Sequence, residues 1–557
     1  MSRNKKKRRP PAAAPILDVP LQELEQIIER TLTGPLSAED HGKLKALVGT
    51  LAFLKGELQA KNGSIKRLLG MLLGASTEKT RKVLGQPPSV SGQESSAERT
   101  PPADTRPKPP GHGRNGAAAY TGAHRVKVPH PALKGGDPCP HCPAHPQGKV
   151  YPFGEPSMLV RITGMAPLVA TVYECDRLRC NLCGEVYTAA APQGVGEQKY
   201  DAGASAMIAL LTYRTGVPFH RLEKLQDALG IPLPASTQWG LMQESADTLT
   251  PVHEAMIDQA ADGHLIHNDD TTQQVLQLTR EQRAAALGEE DEKMQRTGVF
   301  TSGILAVGAD HRIALFFSGA RHAGENLTEV LKRRSHELPP PIQMCDGLDS
   351  NLTKPFQTLL CRCTAHARRK YVEVAESFPE QVRFALQSLS GVYEIDERAR
   401  KQSLSPEERL KLHQEHSGPL MQGLKEWMHR QFEQRTVEPN SGLGKAIRYM
   451  QKNWEALSRF LNTVGAPLDN NVCERALKMA IIRRKNSMFY RTLNGARVGD
   501  LFMSLIYTAE LAGANTFEYL VALLQHPEEI AENPDEWMPW TYQATLAALT
   551  AGTGPPA

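Results

Sequence analysis

Three carboxylates in the second half of the chain have the types and settings to work together. Asp269 stands in the strand-like run His264-Leu-Ile-His-Asn-Asp-Asp-Thr-Thr272, and Asp346 in a shorter one, Pro341-Ile-Gln-Met-Cys-Asp-Gly-Leu348. Acids at the ends of neighbouring strands converge on one ligand, and carboxylates crowded in this way are costly unless a cation neutralises them. Magnesium or manganese, which take oxygen ligands, fit that role. Two such ions about 3.5–4 Å apart activate the attacking oxygen and stabilise the leaving one in phosphodiester transfer. The third candidate, Glu474, lies in Gly465-Ala-Pro-Leu-Asp-Asn-Asn-Val-Cys-Glu-Arg-Ala-Leu-Lys-Met-Ala-Ile481. Asp-Asn-Asn is an N-cap signal, and Glu474 falls in the first turn of the helix that follows. It shares a face with Leu477 and Ile481 and so points toward a sheet. Helix spacing equally allows it to close back on Asn471 as a capping box. Asp270 rivals Asp269, because adjacent strand residues face opposite sides.

The elements that would hold these acids follow a pattern. From Tyr200 to about Ala261 the periodicity is helical. A strand carries Asp269, and two more strand-like runs lie near 298–307 and 312–319. The stretch between Gln273 and Thr297, rich in Glu, Arg and Gln, reads as an exposed loop. A helix signal (Gly324-Glu-Asn-Leu-Thr-Glu-Val-Leu-Lys-Arg-Arg334) precedes the strand of Asp346. Three strands, a helix and a further strand, with aspartates on the first and fourth strands, is the order of a ribonuclease-H-like α/β domain. The gap from Asp346 to Glu474 is too long for a compact core, and its helical composition predicts an all-helical insertion near 372–455. At its entrance, Arg368, Arg369 and Lys370 are either a clamp for a DNA end or solvated helix charge. Arg483, Arg484, Lys485 and Asn486, one to two turns beyond Glu474, are further phosphate-contact candidates. Phe489 and Tyr490 beside them either stack on an unpaired base or are buried. Residues 497–525 are apolar at helical spacing and read as core.

A second kind of chemistry sits upstream. Cys139-Pro-His-Cys142 and Cys180-Asn-Leu-Cys183 supply four thiolates, enough for a closed tetrahedral zinc site. The spacing between the pairs is wider than usual. Two strand-like runs between them, 157–164 and 168–175, could close the gap as a hairpin. Cys175, His141 and His145 are substitute ligands, and Arg177 and Arg179 are the phosphate contacts nearest the second pair. A zinc ribbon of this kind spends most of its binding energy on folding.

Nine cysteines, an odd number, argue for metal over a disulfide scaffold. With 65 basic and 61 acidic side chains the net charge is only +4, so composition alone does not announce a nucleic-acid binder. The distribution does more: six of seven residues from Arg3 to Arg9 are basic, and from Arg475 to Arg497 there are seven bases and no acid. Residues 1–15 read as a disordered tail, solvated or phosphate-binding. Leu44, Leu51, Leu58, Ile65 and Leu72 recur every seven residues, with Leu47, Leu54 and Leu68 as a second row. This predicts either an intermolecular zipper or one helix packed within its own chain. Glycines repeat at the same interval (Gly42, Gly49, Gly56, Gly63, Gly70), each costing a helix about 1 kcal/mol. Between Gly85 and Arg114, 15 of 30 residues are Pro, Gly or Ser, the composition of a linker. No apolar run approaches the roughly 18–20 residues of a membrane span, and the basic start lacks an apolar signal core. A soluble intracellular protein is expected.

Taken together, DDTT followed by VL, then CDGL, then Cys363-Thr-Ala-His-Ala-Arg-Arg-Lys370, then Leu468-Asp-Asn-Asn-Val-Cys-Glu-Arg-Ala-Leu477, resemble the transposases of bacterial insertion-sequence-66-type elements. The zipper, linker and cysteine pairs resemble that family in the same order. The resemblance implies a DDE recombinase with Asp269, Asp346 and Glu474 as the acids for two magnesium or manganese ions, plus a structural zinc at Cys139, Cys142, Cys180 and Cys183. It selects Asp269 over Asp270, since the family motif puts the ligand first in its triplet. Here Asn268, where the family has a small residue, is a departure. The implied division is a basic tail and short helix (1–40), zipper-like helix (41–84), linker (85–130), zinc-binding domain (131–190), helical segment (199–261), core (262–371), insertion (372–455) and second core part with C-terminal helices (456–545). The implied activity is hydrolysis at each element end, followed by attack of the freed 3′-hydroxyl on target DNA. DNA is the implied partner, in a bacterial, cytoplasmic, nucleoid-associated setting. A homodimer or higher oligomer, with accessory proteins of the same element, is expected. The alternatives are a non-catalytic DNA-binding regulator and a nuclease without strand transfer.

Overall fold

The computed structural model describes residues 198–278 and 298–552 continuously; upstream it describes residues 27, 29, 37–44, 131–138, 149–151, 166–179, 186–190 and 192. The chain divides into two compact units, one of Met1–Ser89 with Val372–Ser390, the other of Val90–Tyr371 with Gly391–Ala557. Most of the heptad repeat, the Pro/Gly/Ser-rich linker and all four CxxC cysteines lie outside the described residues.

Upstream, β1 (Arg177–Arg179) and β2 (Val186–Thr188) form an antiparallel pair with Arg179 opposite Val186. Only six residues, including Cys180 and Cys183, separate the two strands. Around the other cysteine pair, Pro138 bridges Lys149, and Val150 N donates to the Asp137 carbonyl at 2.9 Å. The described residues on either side of each cysteine pair are thus hydrogen-bonded or bridged to one another. The run 168–175 is not a strand: it is irregular up to Arg177, and Val172 is 83% exposed. Alternating apolar residues specify a strand only where one face has something to pack against.

The second unit is built on a five-stranded mixed sheet in the order β5-β4-β3-β6-β7. β3 (Leu265–Thr272), β4 (Phe300–Val307) and β5 (Arg312–Gly319) pair antiparallel, while β6 (Ile342–Cys345) and β7 (Leu359–Arg362) run parallel to β3. The first four strands match the runs read from sequence. β7 was not among them; its three apolar residues, Leu359, Leu360 and Cys361, give too short an apolar signal to distinguish from loop.

Helices α1 (Ala202–Ala209), α2 (Phe219–Ala228) and the long α3 (Ala235–Ala261) precede the sheet, and α4 (Ala323–Leu331) connects β5 to β6. After β7 the chain is helical: α5 (Thr364–Val372), α6 (Pro379–Lys401), α7 (Pro406–Leu412), α8 (Gly418–Glu433) and α9 (Gly442–Lys452). It then returns to the sheet through α10 (Asn471–Ser487) and α11 (Leu493–Leu511), followed by α12 (Thr516–Gln525) and shorter helices. Among the described residues no helix is long and apolar enough to cross a membrane.

The outer edge of the sheet is closed by side chains. Asp500, Ser504 and Thr508 of α11 accept hydrogen bonds from the backbone N–H groups of Ser318 (2.6 Å), Phe316 (3.0 Å) and Ala314 (3.0 Å) on β5. Four helical residues rise about 6 Å and two strand residues about 6.6 Å, so the two rows stay in step. An exposed edge that would otherwise invite another strand is thereby satisfied.

Candidate active site

The sheet brings two of the three acids together. β3 and β6 are parallel with His267 level with Met344, so continuing the register sets Asp269 beside Asp346, the first residue beyond β6. Asn351, fully buried in the short turn Asp349–Asn351, bridges them: its Nδ2 donates to Asp346 Oδ1 at 2.7 Å and lies 3.4 Å from Asp269 Oδ1. Asp270 leaves β3 on the other side. Its carboxylate accepts from Ser302 Oγ (2.7 Å), His322 Nδ1 (2.8 Å) and the Ala323 amide at the start of α4 (3.0 Å). It is engaged as a helix anchor.

Glu474 reaches the same face as Asp269 because α10 sits directly on β4. Asp269 pairs with Gly303, and the Cys473 thiol donates to the Gly303 carbonyl at 3.3 Å. The Asp-Asn-Asn segment locks the start of α10 in an unexpected way. No side chain caps the helix. Instead Asn470, fully buried, donates from Nδ2 to the Asn268 carbonyl (3.1 Å), and its Oδ1 accepts from His267 Nδ1 (3.0 Å). Its backbone N–H points at Cys363 Sγ (3.3 Å). Asp469 folds back on the Asn471 amide (3.1 Å). The capping-box alternative is not formed: Glu474 Oε1 is buried without a hydrogen bond, and His366 Nε2 lies 3.8 Å from it.

Crowding shows in the electrostatics. Asp269 is pushed up to about 7, chiefly by burial; the Asp270 N–H partly offsets this, while Asp346 and Glu474 add to it. Burial holds His267 down at about 4, keeping it neutral and able to donate to Asn470. Three hard oxygen donors, one carrying an orphaned buried atom, suit a divalent cation. Cys363, His366 and Glu474 also lie close enough to share an ion. However, that set mixes a thiol and an imidazole with one carboxylate, whereas magnesium and manganese take oxygen ligands, so the oxygen-rich side is the better fit.

The basic candidates separate. Arg483 is 8% exposed, with its guanidinium between the rings of Tyr213 (4.9 Å) and Tyr490 (4.5 Å). It is a core cation and not a surface phosphate contact, a correction to the sequence reading. Arg484 ties α10 to the end of β3, through Thr271 Oγ1 (3.1 Å) and Thr272 Oγ1 (2.6 Å). Lys485 is exposed and Asn486 half-buried. On α5, Arg369 is exposed, Arg368 half-buried, and Lys370 lies over the Tyr449 ring at 4.4 Å. Tyr490 is buried, whereas Phe489 keeps 38% exposure.

Sequence reading missed Asn351, Asn470, Arg362 and Tyr449. Buried Arg362 holds the loop after Asp346 through the carbonyls of Asp346 and Leu348. A Cβ at Gly347 would overlap the Tyr449 hydroxyl, which explains the glycine after Asp346. Only Asn470 left a signal, in a motif that reads as a cap.

A family model described as "Transposase IS66 family" matches residues 198–498. Curated relatives from Sinorhizobium fredii align over shorter stretches. Uncharacterized protein y4jD is 32% identical over 198 residues, 34% of this chain and 38% of its own length. Uncharacterized protein y4hP is 31% identical over 211 residues, 35% and 37% respectively. The match thus spans less than two fifths of those relatives.

Proposed function

Since the chain belongs to the IS66 family of transposases, we propose that it cuts and joins DNA at the ends of an insertion sequence, with Asp269, Asp346 and Glu474 as its catalytic acids. The observation that carries this reading is the meeting of Asp269 and Asp346 through Asn351, on the sheet face over which α10 sets Glu474. The strand order 5-4-3-6-7, antiparallel on one side of β3 and parallel on the other, supports a ribonuclease-H-like core. The helical stretch between β7 and α10 is then an insertion.

The three acids would hold magnesium or manganese, which when bound neutralises charge and promotes displacement at phosphorus. The protein's own part is positional. Arg362 fixes the loop of Asp346, Asn470 fixes the start of α10, and Asp270 anchors α4 beneath the sheet. Exposed Arg369, Lys485, Lys478 and Arg475 are the proposed contacts to the DNA backbone, which position the strand without reading its sequence. The two cysteine pairs, whose described flanking residues pair with one another, are proposed as a zinc ribbon, and the heptads as the oligomer contact.

Labelled element ends incubated with the full chain and manganese test this. Joined product is expected. Cleavage alone would favour a nuclease, and no product would favour a DNA-binding regulator. Asp269→Ala, Asp346→Ala and Glu474→Ala should each abolish cleavage while DNA binding persists; an active Glu474→Ala protein would overturn the assignment.

A further inference from the structure

Asn351 is held more firmly than a loop asparagine needs to be. Its carbonyl accepts from Asn268 Nδ2 (2.8 Å) and Gln343 Nε2 (2.8 Å), two buried side chains of β3 and β6. From below, α4 presses against the same turn: a Cβ at Gly324 would lie 2.7 Å from the Ser350 carbonyl and 2.8 Å from the Asn351 carbonyl carbon. α4 is itself fastened by Asp270. The amide therefore has a fixed position between two acids, with its own Oδ1 buried and unpartnered.

The hydrogen bonds sort the carboxylate oxygens. Asp346 Oδ1 accepts from Asn351 Nδ2 and from the Leu348 amide (2.9 Å). Asp269 Oδ1 accepts from the Asp270 amide (2.8 Å) and faces the same Nδ2. Among the described residues neither Oδ2 takes a hydrogen bond. A carboxylate whose one oxygen is committed to fixed donors cannot rotate freely, and its other oxygen is left for a cation.

We infer that Asn351 is a positioning residue that selects which oxygens of Asp269 and Asp346 are offered to a divalent cation. The inference rests on the three-acid reading above. Outer partners that orient ligating carboxylates are commonly worth about ten- to a hundredfold in metal affinity. Asn351→Leu removes the donor at similar volume; Asn351→Asp replaces it with an acceptor and a further negative charge. Both keep the backbone anchors.

The test is Mn2+ titration of the full chain by electron paramagnetic resonance, with melting followed in chelator and in Mn2+. For wild type a tight Mn2+ site is expected; Asn351→Leu should weaken it by about ten- to a hundredfold. Asn351→Asp should melt lower in chelator and regain more than wild type on adding Mn2+. If wild type binds no Mn2+, the three-acid reading itself fails. If wild type binds and Asn351→Leu binds equally, the selection role is overturned. Should Asn351→Leu not fold, Asn351→Ser, which withdraws the Nδ2 donor without adding charge, decides by the same titration: Mn2+ affinity equal to that of wild type overturns the inference, and affinity weaker by about ten- to a hundredfold supports it.

Discussion

Gly303 lies directly beneath Leu477: a Cβ at residue 303 would stand 2.9 Å from Leu477 Cδ2 and 3.5 Å from Cys473 Sγ. The absence of a side chain there is what lets α10 rest on β4 and bring Glu474 over Asp269. Gly303→Ala should push the helix outward at a cost of about 1–3 kcal/mol. We expect strand cleavage to fall by more than tenfold while the sheet stays folded. Cleavage rate and thermal melting on the same preparation check this; a fully active Gly303→Ala protein would show that α10 has slack.

Asp269 and Asp270 should differ in what they cost when removed. Asp270→Ala strands the Ser302, His322 and Ala323 donors and should destabilise by about 1–3 kcal/mol per unmet buried group. Asp269→Ala relieves like-charge crowding, so its metal-free stability should equal or exceed that of wild type. Chemical denaturation in chelator separates them. Equal losses at both positions would contradict the division of labour.

The closed sheet edge carries a pH dependence. Burial pushes Asp500 up to about 7, against partial relief from Ser318 and from Arg483 and Arg497. With the folded value raised above the unfolded one, its contribution is fully present below the unfolded value and is lost as pH rises through about 7. The loss amounts to roughly 1.4 kcal/mol per pH unit within that window. Asp500→Asn, which keeps an acceptor for the Ser318 amide, should match wild type below about pH 4 and exceed it by a margin that grows up to about pH 7 and then levels off. Parallel slopes of stability against pH for the two proteins would refute the assignment.

One zinc per chain is expected from Cys139, Cys142, Cys180 and Cys183. Elemental analysis after gentle purification measures it, and Cys180→Ser should lower the content to near zero. A zinc-free wild-type protein would remove the ribbon.

β3, β4 and β5 were legible as eight-residue runs, and the four-residue β6 through its place between the helix signal and Asp346. Leu359–Arg362 was not, being four residues that end on a buried arginine whose pairing with carbonyls no periodicity reveals. The acids were visible as residue types, but their meeting depends on register. The supporting amides, Asn351 and Asn470, look in sequence like ordinary turn and cap residues. Arg483 misled for a related reason: a run of Arg-Arg-Lys on a helix spans three faces, and one of them turns inward onto two tyrosines. The row Asp500, Ser504, Thr508 was hidden within a stretch apolar enough to pass for plain core.

Glu474 comes 205 residues after Asp269, on the far side of the helical stretch. At about 5–20 residues per second, a ribosome makes the third acid roughly 10–40 s after the first. A nascent chain, or one cut short by a broken message, carries at most two of the three acids, and lacks the Asn470 contact that seats α10. Under the three-acid proposal, a chain that stops before residue 474 cannot assemble the site, so the order of synthesis delays activity until the helical stretch has been made.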